Sequence, residues 1–395
     1  MSKVSFEAGS IVKRKVCVVI TARPSYSRIK TALLAIRSHP DLDLQLVVAG
    51  SALLDRYGNA LNVIETDGFK VDARVYMILE GENLVTSAKS TGIALSELAG
   101  VFDNLKPHMV LTIADRYETL ATATAASYMN IPLVHVQGGE VSGSIDDRVR
   151  HAISKLANLH LVATQGAGDR LRQMGEDPST IHVTGCPSID IAADVHARPQ
   201  LDFDPMERYV GVGSDIDLSN GYIIVLQHPV TTEYRDARAQ VLATLHAVHD
   251  LAVPVLWFWP NVDAGSDAMS KAIRAFRETV KPESIHFFKN MRPADFLRLA
   301  YGSRAVVGNS SVGIRECTYL GVPVVNIGSR QRGRERGVNV IDVPHDEIQI
   351  RAAIERQFKN GRYPVNHLYG DGRAGDRISN VLAKSPLSFD KSFSY

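Results

Sequence analysis

The sequence predicts an α/β protein built from two doubly wound parallel sheets with a cleft between them. Short β-branched runs alternate with helical stretches along the 395-residue chain, which indicates parallel βαβ units. Each predicted strand is a continuous apolar run, as expected for a sheet that helices cover on both faces. The alternation lapses once, in a stretch rich in Pro, Asp and Gly, so two domains are expected.

The first predicted domain covers residues 1–195. Its strands are expected at 16–21, 44–49, 75–78, 109–113, 133–136, 159–163 and 181–184. Residues 196–220 form a predicted linker, and residues 221–380 form the second domain, with strands at 222–226, 253–259, 285–288, 305–307 and 322–327. Residues 381–395 are a tail without an evident role. A cleft between two such domains is a common place for a ligand.

Composition excludes several classes of protein. The net charge of +1 offers no electrostatic basis for binding nucleic acid or an anionic membrane. The three cysteines, Cys17, Cys186 and Cys317, stand far apart, which argues against disulfides and a zinc site. No signal peptide or membrane-spanning run is visible, so a soluble cytoplasmic protein is expected. The dinucleotide fingerprint GxGxxG is absent, and no cofactor or metal is predicted.

Residues 133–151, LVHVQGGEVSGSIDDRVRH, are the most informative segment. An apolar strand runs into a Gly-Gly turn, and Glu140, Asp146 and Asp147 follow before a helix that carries Arg150 and His151. Carboxylates at the carboxyl end of a parallel strand lie where such folds bind ligands. Because crowded carboxylates perturb one another's pKa values, acid/base chemistry is expected here. The competing interpretation is a helix N-terminus with favourable acids and a glycine turn.

Two further segments end strands of the first domain. TARPSYSRIK places Arg23 and Ser27 just before a helix, where an anionic group is favoured, although a capping serine beside a surface arginine is an equal alternative. Asp115 and Arg116 follow the strand at 109–113, and Asp115 is expected to share a pocket with Glu140 and Asp146. A structural salt bridge between Asp115 and Arg116 is the alternative.

The second domain supplies a predicted phosphate site. GNSSVGIRE places Ser310 and Ser311 between a strand and a helix, which suits a pyrophosphate, and Glu316 is placed to accept hydrogen bonds from ribose hydroxyls. An ordinary capped helix is the alternative. His228 and Asn261 each follow a strand. The loop 329–337, SRQRGRERG, is expected to close over a phosphorylated ligand, with a solvated loop as the alternative, especially for its later arginines.

These motifs resemble the UDP-N-acetylglucosamine 2-epimerase family, and specifically its hydrolysing branch. The matching stretches run in family order over about residues 15–375, and include ADRYETLA, HVQGGEVSGSIDDRVRHAISKLANLHLVAT, TGCPSID, LQHPVTTE, WPNVDAG, GNSSVGIRE and GVPVVNIGSRQRGRERG. The resemblance implies a glycosyltransferase-B type fold of two Rossmann-like domains. It also implies a nucleotide-sugar substrate, a homo-oligomer (dimer or tetramer) and a place in sialic or legionaminic acid biosynthesis.

The resemblance also implies roles for individual residues. The catalytic set is Asp115, Glu140, Asp146, Asp147 and His228. The nucleotide diphosphate is expected to contact Arg23, Ser27, Arg116, His228, Asn261, Ser310, Ser311, Glu316 and Arg330. Gln137 stands where several relatives carry glutamate; it cannot exchange a proton as a carboxylate does, so it is not placed in the catalytic set.

The implied reaction is anti elimination of the nucleotide diphosphate followed by hydration, which releases the C2-inverted free sugar. One carboxyl group must take a proton from C2 and another must deliver one, and a raised pKa is expected for the donor. A non-hydrolysing epimerase, a glycosyltransferase of the same fold and a catalytically idle binding protein are the alternatives. The sugar (N-acetylglucosamine or a diacetamido-trideoxy sugar) and the nucleobase (UDP or GDP) stay open.

Overall fold

The described part of the chain forms two sheets of seven strands each, parallel apart from one short edge strand of the second sheet, which confirms the predicted fold class. The structure is a computed structural model that describes residues 13–54, 60–80, 84–143, 146–260 and 265–391. The strands are buried because their apolar side chains face helices on both sides of each sheet; Val16 to Ile20, for example, are at most 1% exposed.

The first sheet has the strand order β3-β2-β1-β4-β5-β6-β7, and all of its strand pairs are parallel. Its strands are β1 (Arg14–Ile20), β2 (Leu42–Ala49), β3 (Ala73–Val75), β4 (Met109–Ile113), β5 (Leu133–Val136), β6 (Leu159–Val162) and β7 (Ile181–Val183). The helices are α1 (Arg23–Ser38), α2 (Ala60–Thr66), α3 (Leu84–Leu105), α4 (Tyr117–Tyr128), α5 (Asp146–Leu156) and α6 (Gln165–Gln173), and α7 (Pro187–Ala197) leads out of the domain. The order reverses between β1 and β4, which creates a crevice at their carboxyl ends.

The second sheet has the order β14-β13-β12-β9-β10-β11-β8. Its strands are β8 (Val212–Gly213), β9 (Ile223–Leu226), β10 (Val255–Phe258), β11 (Ile285–Phe288), β12 (Ala305–Gly308), β13 (Val324–Ile327) and β14 (Val340–Val343). The helices are α8 (Pro205–Tyr209), α9 (Ala237–His249), α10 (Ser266–Val280), α11 (Pro293–Gly302), α12 (Ser311–Ile314), α13 (Glu316–Leu320), α14 (Glu347–Asn360) and α15 (Ala374–Lys384).

Two strands of the second sheet were not expected from the sequence. Strand β14 lies at an edge and is only half-buried, so it lacks the continuous apolar run of a central strand. Strand β8 has two residues, lies inside the predicted linker and pairs antiparallel with β11. In the first sheet, β3 ends at Val75 whereas the sequence predicted a strand at 75–78. Edge strands gain less from burial, which weakens their apolar signal.

Helix α15 returns the chain to the first domain. Its side chains Ile378 and Leu382 are fully buried in the core of the first sheet, where α15 packs against α1. Asp190 of α7 accepts hydrogen bonds from the backbone N–H groups of Ala374 and Gly375, both at 2.8 Å. The helix therefore spans the position, between 380 and 381, at which the sequence predicted the end of the second domain. The chain leaves the first domain after α7 and returns to it at α15, and these two connections lie side by side.

The C-terminal segment also contacts the first domain. The Lys391 ammonium lies 2.5 Å from a carboxylate oxygen of Glu176, which also accepts from His160 at 3.0 Å. In the described part of the chain, no helix is both long and apolar enough to cross a membrane.

Candidate active site

The site begins at the carboxyl ends of β4 and β5, where the backbone turns sharply. Ala114 and Gln137 adopt left-handed backbone angles, with φ of +66° and +65°. Such angles are uncommon for residues other than glycine and are maintained only when the surroundings hold them. They redirect the chain out of the sheet, so Asp115 and Glu140 follow at the edge that faces the second domain.

His135 joins the two strand ends beneath the carboxylates. Its Nε2 lies 2.9 Å from the carbonyl oxygen of Ala114, and its Nδ1 lies 3.1 Å from Oγ of Ser154. Because a carbonyl only accepts, Nε2 carries the proton and Nδ1 accepts from the serine. Complete burial lowers the pKa of His135 to about 3, so the ring is neutral at physiological pH. His135 therefore supports the site and does not exchange protons there.

The two glycines after Gln137 are required by close packing. A Cβ on Gly139 would lie 2.2 Å from the carbonyl oxygen of Ala167, and its φ is +72°. A Cβ on Gly138 would lie 2.8 Å from both His135 and Ser154. These contacts give the Gly-Gly pair a role beyond turn formation, because the turn presses against α6 and the strand below it.

Arginines from both domains surround the two carboxylates. Glu140 accepts hydrogen bonds from Arg315, at 2.5 Å, and from Arg334, both in the second domain. Asp115 accepts from Arg150 of its own domain, and the guanidinium of Arg334 lies 3.9 Å away. All five side chains are nearly inaccessible to solvent, with 11% or less exposed. The carboxylates and arginines form one buried ionic cluster that spans the domain interface.

This cluster overturns the expectation of a raised carboxyl pKa. Burial by itself raises the pKa of Glu140, but Arg315, Arg334 and Arg150 outweigh it and lower the pKa to about 2. The same balance, with Arg150 and Arg334 as the main cations, lowers the pKa of Asp115 well below its usual range. The sequence argument counted neighbouring carboxylates but not the arginines that the second domain brings.

Gln137 has a role in this cluster that the sequence did not indicate. Its Oε1 accepts from Arg315 at 3.0 Å, and its Nε2 donates to Sγ of Cys186 at 3.0 Å. The amide thereby orients the guanidinium that pairs with Glu140.

Asp147 closes the loop that follows Glu140. Its Oδ1 accepts from the backbone N–H of Ser142 at 2.9 Å and from Oγ of the same residue at 2.8 Å. Its Oδ2 accepts from the N–H of Gly143 at 2.7 Å, and Arg150 also donates to Oδ1. These donors lower the pKa of Asp147, against the effect of its partial burial. Both carboxylate oxygens are therefore engaged in holding the loop. Asp146 begins α5 beside it.

A cavity lies next to this cluster, between the ends of the two sheets. Seven of the residues that the sequence assigned to diphosphate binding line it: Arg23, Ser27, His228, Ser310, Ser311, Glu316 and Arg330. Arg116 is not among its lining residues; its Nε lies 3.1 Å from a carboxylate oxygen of Glu118, so its salt bridge is with Glu118 and not with Asp115. Asn261 lies outside the described residues.

The serine loop of the second domain is shaped by Gly308 and Asn309. Gly308 has φ of +128°, and a Cβ there would lie 2.1 Å from the carbonyl oxygen of Leu226. The Asn309 side chain accepts from the N–H of His228 and donates to its carbonyl oxygen, both at 2.8 Å. This pairing sets the ends of β9 and β12 side by side, so His228 and Ser310 face the same cavity.

Two arginines of the first domain give the cavity a positive wall. Burial alone lowers the pKa of Arg23 to about 10, and no carboxylate among the described residues pairs with it. Arg28 donates to Oγ of Ser311 at 2.9 Å and thus crosses the cleft. Asp115 and Glu316 lie near Arg28, whereas Arg23 is a partly buried cation without a carboxylate partner among the described residues, which favours an anionic ligand. Glu316 adds an acceptor, since its Oε2 has no hydrogen-bond partner among the described residues.

Several site residues were missed by the sequence reasoning. Arg28, Arg315 and Arg334 lie in the motifs that were singled out, but their partners are far away in sequence; Arg315 and Glu140 are 175 residues apart. Arg334 had a solvated loop as its alternative, whereas it is 7% exposed. Phe258 and Trp259 line the cavity at the end of β10. Two aromatic side chains ending a strand are the signal that could have marked them as a surface for a planar base.

The arrangement combines an anion site with proton-transfer groups. The cavity offers arginines and serine hydroxyls suited to a diphosphate. Asp115 and Glu140 do not line it; they are buried in the adjoining cluster, and Arg28 lies between Asp115 and the cavity. Among the described residues, no group of side chains could hold a metal ion.

Comparisons with known proteins show which family the chain resembles. A family model described as UDP-N-acetylglucosamine 2-epimerase matches residues 34–383. A UDP-N,N'-diacetylbacillosamine 2-epimerase (hydrolyzing) of Legionella pneumophila is 33% identical over 374 residues, which are 95% of this chain and 97% of that protein. A GDP/UDP-N,N'-diacetylbacillosamine 2-epimerase (hydrolyzing) of Campylobacter jejuni is 30% identical over 334 residues, which are 84% of this chain and 84% of that protein.

Solved structures share the fold. The crystal structure of UDP-GlcNAc 2-epimerase from Neisseria meningitidis bound to UDP-GlcNAc superimposes with a TM-score of 0.78 at 19% identity, over 94% of this chain and all of that one. At this identity the likeness establishes the architecture of two domains and a cleft.

Proposed function

Because the chain belongs to the UDP-N-acetylglucosamine 2-epimerase family, we propose that it is a hydrolysing 2-epimerase of a nucleotide-activated N-acetylated hexosamine. The observation that carries the proposal is the buried pair Asp115 and Glu140 in the cluster next to a cavity whose lining suits an anion. Proton-transfer groups at this place can act on the sugar carbon next to the bond that holds the diphosphate. The two hydrolysing relatives, which act on diacetylbacillosamine nucleotides by name, support this branch of the family.

The reaction has two halves. In the first, a carboxylate takes the proton from C2, the electron pair forms a C1=C2 double bond, and the C1–O bond breaks with release of the nucleoside diphosphate. In the second, water adds to C1 and a carboxyl group delivers a proton to C2 from the opposite face. The sum is nucleotide sugar plus water giving nucleoside diphosphate plus the C2-inverted free sugar. Asp115 serves one proton transfer, and Glu140 with Asp146 serves the other.

The choice of Asp146 over Asp147 follows from the contacts of Asp147. Both oxygens of Asp147 accept backbone N–H groups of the loop, which makes this residue a support for Glu140. Unlike the guanidinium groups around Glu140, for which a diphosphate competes, these backbone donors belong to the loop itself and stay in place, so Asp147 remains a poor proton carrier.

The arginines explain how one carboxylate can later act as an acid. In the arrangement described, Glu140 is held ionised by Arg315 and Arg334. A departing diphosphate gains negative charge and competes for the same guanidinium groups. Loss of one cation raises the pKa of Glu140, which prepares it to carry a proton in the second half. His228 stabilises or protonates the leaving phosphate from the other side of the cavity.

Two sugars are proposed as substrates to compare, a diacetylbacillosamine-type donor and UDP-N-acetylglucosamine. Their products are N-acetylmannosamine-type sugars, which suit sialic or legionaminic acid biosynthesis.

We also propose a cytoplasmic homo-oligomer, a dimer or tetramer. Three free, buried cysteines fit a reducing compartment. Light scattering after size exclusion measures the oligomer directly.

Proton NMR of the reaction in deuterium oxide tests the function. We expect free C2-inverted sugar with deuterium at C2, together with an equal amount of nucleoside diphosphate. An epimerised nucleotide sugar without diphosphate release would identify a non-hydrolysing epimerase. Turnover that requires an acceptor would identify a glycosyltransferase, and binding without exchange at C2 would identify an idle binding protein. Each of these three results contradicts the proposal.

A further inference from the structure

Arg334 and its neighbour Glu335 lie in the loop 329–337 but contact different parts of the first domain. Arg334 reaches Glu140 and Asp115, as described above. The Glu335 carboxylate instead accepts a hydrogen bond from Oγ1 of Thr164, at 2.5 Å, across 171 residues of sequence. The guanidinium of Arg170 lies 3.9 Å from the same carboxylate oxygen. One loop of the second domain thus makes two charged contacts with the first.

The Glu335 carboxylate lies over the first turn of α6. Thr164 is the N-cap of this helix, and its Oγ1 also accepts from the N–H of Ala167 at 3.1 Å. A Cβ on Gly166 would lie 2.8 Å from a carboxylate oxygen of Glu335. The carboxylate can therefore approach the helix this closely only because residue 166 has no side chain. A negative group is stabilised here by the positive end of the helix.

The loop approaches the first domain as a preformed unit. Arg336 donates to the carbonyl oxygens of Arg334, at 3.2 Å, and of Arg332, at 3.1 Å. The Tyr369 hydroxyl donates to the carbonyl oxygen of Glu335 at 2.6 Å. With the backbone held in this way, an anchor at Glu335 also determines where the side chain of Arg334 can reach.

The anchor is linked to the turn that carries Glu140. Arg170 donates to the carbonyl oxygen of Gly139 at 2.8 Å, next to Glu140, while its other terminal nitrogen faces Glu335. Gly333 is packed against Val141 on the other side, where a Cβ would lie 2.5 Å from a methyl carbon. Contacts around Glu335 therefore help to hold both Arg334 and Glu140 in position.

We propose that Glu335 is a positioning residue, which docks the loop 329–337 on the N-terminus of α6 and so places Arg334 against Asp115 and Glu140. Glu335 does not line the cavity and touches neither of the two carboxylates. Its effect on turnover therefore passes through Arg334. This inference rests on the proposed function, because turnover is one of its readouts.

The experiment compares Glu335→Ala, Glu335→Gln, Thr164→Val and Thr164→Ser in the full-length protein. The control is Glu355→Ala, at an exposed glutamate on α14. We expect kcat to fall about 10- to 100-fold in Glu335→Ala and in Thr164→Val, because small misplacements of a charged group have large effects on rate. Glu335→Gln and Thr164→Ser should keep more activity, since each retains the hydrogen bond. The affinity for UDP should fall less than kcat, because Arg330 of the same loop lines the cavity but is also held by the carbonyl oxygen of Asn309.

Two further readouts separate positioning from general instability. The double variant Glu335→Ala with Thr164→Val should lose little kcat beyond Thr164→Val alone, because Thr164→Val already breaks the contact with Glu335 and both proteins lack the cap bond to Ala167. Hydrogen exchange of residues 329–337, measured without substrate, should be faster in Glu335→Ala than in the control. Additive losses, unchanged exchange, or a loss of UDP affinity in step with kcat would each overturn the proposal. If the wild type turns over no nucleotide sugar, the proposed function fails, whereas hydrogen exchange still decides the role of Glu335.

Discussion

Arg334 of the second domain donates a hydrogen bond to Glu140 of the first, and both side chains are about 95% inaccessible to solvent. Arg315 donates to the same carboxylate oxygen at 2.5 Å. Because both guanidinium groups come from the other domain, the pKa of Glu140 depends on how the two domains are arranged. The site is therefore complete only where the two domains meet.

The first prediction concerns the pH profile of Arg334→Gln. Removing one cation should raise the pKa of Glu140 from about 2 towards its usual value. The limb of the profile that reports Glu140 should then move to higher pH, and kcat should fall. Arg332→Gln, in the same loop but exposed, is the matched control. Identical pH profiles for both variants and the wild type would show that Arg334 does not set this pKa.

The second prediction concerns the proton-transfer carboxylates. Asp115→Asn and Glu140→Gln keep the shape of each side chain but cannot exchange a proton. Turnover should fall by about 10²- to 10⁴-fold in each, as expected for loss of a general acid or base. Binding of UDP, measured by calorimetry, should be largely retained because its predicted partners lie elsewhere in the cavity. Near-normal rates in both variants would refute the assignment.

The third prediction separates Asp146 from Asp147. Asp147→Asn removes charged acceptors for two backbone N–H groups, so it should destabilise the fold by about 1–3 kcal/mol. Asp146→Asn should lower kcat strongly. Thermal unfolding and steady-state rates, measured on the same preparations, test both halves. A stable but inactive Asp147→Asn protein would reverse the two roles.

The fourth prediction concerns Arg23, a partly buried cation without a carboxylate partner among the described residues. Arg23→Met keeps the length of the side chain and removes the charge. Because an unpaired buried charge is unfavourable, this variant should unfold at a higher temperature than the wild type. It should also bind UDP at least about tenfold more weakly, since a charge-assisted contact is lost. Unchanged UDP affinity would place the diphosphate away from Arg23.

The fifth prediction concerns the pH dependence of stability. The folded pKa of His135 is about 3, against a usual value of 6.5, so between these values the unfolded chain binds one more proton. Stability from this group is complete above pH 6.5 and is lost as the pH falls towards 3. At pH 4 the loss is about 3 kcal/mol. His135→Gln should therefore lose less stability between pH 7 and pH 4 than the wild type, in denaturant titrations. Parallel losses would refute the role of His135.

Much of the fold could be predicted from local pattern. Central strands such as β4 and β5 were located to the residue, because their continuous apolar runs reflect burial on both faces. The edge strand β14 and the two-residue β8 were missed, because a half-buried or very short strand has a weak apolar signal. The return of α15 to the first domain was also invisible, since an amphipathic helix does not specify which sheet it covers.

The sequence by itself determined the order of strands and helices along the chain, and the carboxylates and serines at strand ends. These follow from short-range periodicity and turn chemistry. Only the tertiary structure decided that Arg315 and Arg334 meet Glu140, and that the carboxyl pKa values fall where the sequence suggested a rise. Those pairs span 175 and 194 residues. Electrostatic energy depends on distances in space, and no local pattern encodes them.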